Sequence, residues 1–110
     1  MNINLHTQFA IGDLVFAMDR DREGHARGVL HSKNDYLLRK ELTPLKVVAV
    51  TARIYDYGEE QGYGAGVHIS YDLAHINPDG SYPISLVKTE VDIPESDIYT
   101  TCEDAHKASG

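Results

Sequence analysis

Apolar and polar residues in this chain alternate with a period of two far more often than they recur at helical spacing, which predicts strands. Leu14-Val15-Phe16-Ala17-Met18 reads as a first strand, launched by a turn at Gly12-Asp13. The charged run from Asp19 to Gly24 reads as an exposed turn ending on a glycine that accepts positive φ. His25 to His31 gives a weaker strand around Gly28-Val29-Leu30, and Lys33-Asn34-Asp35 marks another turn. Tyr36 to Leu42 fits either a helical turn or a short strand, and Pro44 stops both. The strongest strand is Leu45 to Tyr57, dense in β-branched and aromatic residues. Its first half is apolar on both faces, which places it centrally; Arg53 and Asp56 predict that its far end reaches water.

A glycine-rich hairpin loop, Gly58 to Gly66, leads into Val67–Leu73, which alternates cleanly. Val67, Ile69, Tyr71 and Leu73 are expected to point inward, and His68, Ser70 and Asp72 outward. Asn77-Pro78-Asp79-Gly80 is a turn, because proline fixes φ and glycine tolerates the left-handed region. Tyr82 to Val91 reads as a further strand closed by Pro94. A brief final strand around Ile98-Tyr99 hands over to a helix whose capping box pairs Thr100 with Glu103. The fold class that follows is mainly β: a small, strongly bent antiparallel sheet or barrel of five to six strands with a short C-terminal helix. Residues 1–110 form one domain, with 1–8 expected to be a flexible lead and 100–110 a short helix and tail.

Charge narrows the classes of partner. There are 17 carboxylates against 10 Lys and Arg, a net of −7, so direct nucleic-acid binding is not expected. The Lys and Arg of the first 40 residues are interleaved with acids and read as solvated loops. No apolar run approaches the roughly 20 residues needed to span a bilayer, so no membrane partner is expected either. The lone Cys102 excludes an internal disulfide and, with no secretory pattern at the start, suits a reducing cytoplasm.

Two segments carry a resemblance. Ile11-Gly12-Asp13-x-Val15-Phe16 resembles the opening of small Src-homology-type and Tudor-like barrels. Glu95-Ser96-Asp97-Ile98-Tyr99-x-Thr101-x-Glu103-Asp104-Ala105 is similar to the close of short bacterial and phage proteins with that barrel. The resemblance implies a binding module and brings no catalytic residues with it. The hairpin from Leu45 to Leu73 is longer than a minimal barrel of that kind requires.

Catalytic patterns are not found. Gly58, Gly62, Gly64 and Gly66 lack the Gly-Lys-Ser/Thr ending of a phosphate loop, and no serine sits in a Gly-x-Ser-x-Gly elbow. We therefore expect no enzyme activity and no cofactor. His68, Asp72 and His75 combine ligand types that suit a divalent metal. Along a straight strand His68 and Asp72 lie roughly 13 Å apart at about 3.3 Å per residue, so they share an ion only if the chain bends. Polar residues on an outer strand face are the plainer reading, and no metal is assigned.

Tyrosine is the more informative population, with seven Tyr against two Phe and no Trp. Tyr55, Tyr57, Tyr63 and Tyr71 gather around the central hairpin, with Arg53 and His68 as polar neighbours. Packing within a small core explains such rings most simply; a recognition surface is the functional alternative, since Tyr joins a rigid apolar face to a polar tip. The leading expectation is a non-enzymatic module that binds a protein partner, or itself as a homo-oligomer, through these six residues. An acidic phage or mobile-element decoy of a nucleic-acid-binding protein is the second. A small-ligand or metal-binding barrel around His68 is the third.

Overall fold

The computed structural model describes residues 5–34, 41–58, 64–84 and 88–110. Six antiparallel strands form one sheet: β1 (Leu14–Arg20), β2 (Ala26–Leu30), β3 (Leu45–Asp56), β4 (Ala65–Ala74), β5 (Thr89–Pro94) and β6 (Ile98–Tyr99). One helix, α1 (Cys102–Ser109), ends the chain and packs against β1 and β2. The strand order is β2-β1-β3-β4-β5, with β6 paired to β1, and the sheet does not close into a barrel. The mainly β class and the strand number are as the alternation predicts, and the short terminal helix is as the capping signal predicts.

The core lies where β1, β3, β4 and β6 meet. Val15, Ala17, Leu45, Val47, Tyr71, Leu73 and Ile98 are buried there together with Phe9, which precedes the first strand. Burying a large apolar side chain of this kind contributes about 1.5–3 kcal/mol. The Gly12 turn forms as expected: Gly12 has φ +99°, and Asp13 N–H donates to the Ala10 carbonyl at 3.0 Å. The expected flexible lead is tied at its end, where Gln8 N–H donates to Glu95 Oε2 at 3.1 Å.

Several boundaries differ from the expectation. β1 runs on to Arg20, whose Nε and Nη2 donate to Asp97 at 2.9 Å each, and this fork holds the strand through its charged end. Tyr82, Pro83 and Ile84 are not in a strand; Tyr82 lies on the surface with the Lys46 ammonium 5.8 Å over its ring. The strand there starts at Thr89 and includes Pro94. Ser70, expected to face water, is buried because its hydroxyl donates to Asp92 Oδ1 at 2.8 Å across the β4–β5 ladder. The helix is capped by Thr101, one residue later than expected: its Oγ1 accepts the Asp104 N–H at 3.1 Å. The expected elements at Tyr36–Lys40, Glu59–Tyr63 and Ser85–Val87 lie outside the described residues.

β3 carries a bulge. Val47 pairs with Leu73 and Ala49 with Asp72, which leaves Val48 as the extra residue. Before it the odd positions Leu45 and Val47 face the core; beyond it the even position Val50 packs there. The apolar run on both faces is therefore two strand phases joined by one bulge. Past Val50 the two strands run outward as an arm: Thr51 to Ile54 are all exposed, while Ile69, opposite Ala52, makes the last contact with the core. The molecule measures 55 × 27 × 22 Å.

Candidate functional site: the face of the arm

Strand pairing fixes which side chains share a face on the arm. Arg53 stands opposite His68 and Tyr55 opposite Gly66, and Tyr57 follows two residues on. The Tyr55 and Tyr57 rings stack with centroids 5.7 Å apart and planes 28° apart. Arg53 Nη2 donates to the Tyr57 hydroxyl at 2.7 Å. Arg53, Tyr55, Tyr57 and His68 line an open groove of about 280 Å³. Four of the six residues expected to form the contact surface are thus brought together.

Gly66 is the residue sequence reading missed. A Cβ built on it would lie 2.6 Å from the Tyr55 hydroxyl oxygen and 2.9 Å from the ring carbon that bears it. Tyr55 therefore folds over the strand opposite, across a position that only glycine leaves empty. The signal lay in the sequence: Gly66 is two residues from His68, on the same strand face.

The other two expected members part from the group. Tyr63 lies outside the described residues. Tyr71 is 0% exposed and belongs to the core, so it is no part of the contact surface. Its ring meets Phe9 edge-on at 5.5 Å. Its hydroxyl donates to Glu95 Oε2 at 2.5 Å and accepts the Phe9 N–H at 3.3 Å. Burial, aided by the Glu95 carboxylate, pushes the Tyr71 pKa above the ordinary phenol value. Tyr71 stands opposite Val50 in the ladder, near the base of the arm.

His68, Asp72 and His75 do not converge. His68 is exposed on the arm, whereas Asp72 accepts the Asp92 N–H at 3.0 Å. His75 is 1% exposed and both ring nitrogens are engaged. Its Nδ1 accepts the Lys33 N–H at 2.8 Å, which sets the tautomer, so Nε2–H donates to Glu90 Oε1 at 3.1 Å. For Glu90, burial opposes the charged form, but the His75 hydrogen bond and the Lys88 ammonium at 3.5 Å outweigh it and hold its pKa low. His75 is a structural link, and among the described residues no three His, Cys, Asp or Glu side chains gather as a metal site would need.

The chain matches no family model, no characterised protein and no solved structure. Among the described residues no helix is long and apolar enough to cross a membrane.

Proposed function

We propose that this protein is a non-enzymatic binding module that acts through protein–protein contact made by its arm. One observation carries the reading: Arg53, Tyr55, Tyr57 and His68 form one groove on an element that stands clear of the core. Tyr57 is 48% exposed and Ile54 54%, apolar surface that the fold leaves open to water. Stacked tyrosines beside a guanidinium make a rigid contact area with donors at its rim, the composition that contact surfaces favour. The Src-homology-type or Tudor-like resemblance and a cytoplasmic location belong to the same proposal.

The distribution of acids supports a plain module over a decoy of a nucleic-acid-binding protein. Asp97 binds Arg20, Glu90 binds His75 and Lys88, Glu95 binds Tyr71, and Glu103 lies 3.3 Å from Lys107. These four of the 17 acids are held by partners within the fold, which takes them from the free negative face that a decoy would present.

Native mass spectrometry of the protein isolated gently from its own cells tests the reading. A stoichiometric protein partner or a homo-oligomer is expected, and Tyr57→Ala, still folded, should weaken that association about tenfold or more, as loss of a central aromatic contact does. A bare monomer that carries only a metal or small molecule would overturn it.

A further inference from the structure

We propose that the outer edge of β3 pairs with the same edge of a second copy of this chain, antiparallel, so that two sheets join across a two-fold axis. This rests on the reading of the arm as the contact element and names where and with what it joins.

β1 covers the edge of β3 only at its start. Val47 N–H donates to the Asp13 carbonyl at 2.9 Å, and the Val47 carbonyl accepts the Gly12 N–H at 2.8 Å. Beyond Val47, among the described residues, no strand runs along that side of β3. One hydrogen bond fixes which main-chain groups face outward. Tyr57 N–H donates to the Gly64 carbonyl at 2.9 Å, so the odd residues Tyr57, Tyr55, Arg53 and Thr51 direct their N–H and C=O to β4. Val50, Ala52, Ile54 and Asp56 then present theirs to the open edge. An uncovered row of this kind is what strands pair with, and it is usually blocked by charge or proline. Here the stretch Val48–Asp56 is β-branched or small except for Arg53, Tyr55 and Asp56, and it has no proline.

Symmetry and charge select the partner. Two identical edges related by a two-fold axis are self-complementary, since outward residues meet outward residues and each donor finds an acceptor. The chain as a whole is acidic at −7, so two copies repel over most approaches. The open stretch Val48–Asp56 carries one Arg and one Asp and is neutral. Its midpoint is Ala52, and an axis there pairs the whole stretch with itself. Ala52 faces Ala52 of the second copy, Val50 faces Ile54, and Arg53 faces Thr51. An axis at Arg53 would set two guanidinium groups side by side. An axis at Ile54 would run Val50 past the strand onto Gly58.

Sedimentation and amide exchange by NMR, both over a concentration series, test the pairing. We expect a monomer–dimer equilibrium in which the Ala52 and Ile54 amides slow about tenfold or more as dimer becomes the main species. The Val47 amide, bonded to the Asp13 carbonyl at the core end of β3, serves as the reference. Ala52→Pro removes one outward N–H and leaves the β3–β4 ladder whole, so it should stay folded and monomeric. If it does not fold, Ile54→Lys places a charge beside the same edge and should give the same result. A wild-type chain that stays monomeric, with fast Ala52 and Ile54 amides, overturns the pairing, as does an Ala52→Pro variant that still dimerises. A monomer that protects those amides only on adding a foreign partner also overturns it. In that case, loss of the partner on Tyr57→Ala would leave the arm's role as a contact element standing.

Discussion

At the scale of single residues, hydroxyls and missing atoms decide more than charge does. Tyr71→Phe keeps the ring against Phe9 and removes the group that joins Glu95 to the Phe9 N–H. A buried donor left without its acceptor costs about 1–3 kcal/mol, which urea unfolding at neutral pH should register. The same hydroxyl sets an alkaline limit. Its pKa is raised in the folded state, so its contribution is complete below the unfolded phenol value of about 10 and is lost as pH climbs through the folded value. In Tyr71→Phe that part of the alkaline fall in stability should vanish. Glu90 has the opposite sign: its pKa is lowered, so its contribution is present above the unfolded carboxylate range and is lost as pH falls through the folded value. Glu90→Gln should flatten the acid limb of a pH–stability curve. Gly66→Ala drives a methyl group against the Tyr55 ring, whose tip must swing aside. We expect little change in melting temperature but loss of the Tyr55–Tyr57 stack, read from ring-current shifts, and weaker association.

At the scale of elements, what was legible followed from patterns that tertiary contacts do not override. β3 and β4 are visible in their β-branched density, and the Asn77–Gly80 turn forms with Gly80 at φ +89°. What was hidden depended on partners distant in sequence. β1 continues through Asp19 and Arg20 because Asp97, a distant residue, receives the guanidinium. β5 starts late, and its ladder with β4 is broken between Tyr71 and Leu73, near Asp92 at φ 60°, which no local signal announces. The groove was legible as a cluster of tyrosines, and the alternation of Val67 to Leu73 already set Tyr71 inward, where it is buried; counting it among the contact residues set that alternation aside. The cap shows how close local signals come: Thr100 and Thr101 are both capable, and the extended backbone of Thr101 at φ −127°, ψ 151° makes it the cap. Thr101→Ala should cost about 1 kcal/mol, whereas Thr100→Ala should cost little; thermal unfolding of the pair separates them.

At the scale of the whole molecule, the shape divides labour. The radius of gyration is 15.9 Å, against about 13 Å for a compact domain of this length, as suits a molecule drawn out to 55 Å in one direction. Two strands alone are marginal in water, so the arm draws its order from the sheet at its base. Amides of Arg53 and Tyr55 in the monomer should therefore exchange through local opening, well ahead of those of Val47 and Leu73, which report global unfolding. The bulge at Val48 gives this layout a tolerance to changes in chain length. β3 holds one residue more than its ladder with β4 requires. A deletion of one residue between Val47 and Ala52 can iron the strand flat and still set Arg53 opposite His68, because the slack is already present. An insertion at the same place has no slack to draw on and must either open a second bulge or turn the tyrosines over to the opposite face. Single-residue deletions and insertions in this stretch should therefore be unequal in effect, the shorter chain keeping its groove and the longer one losing it.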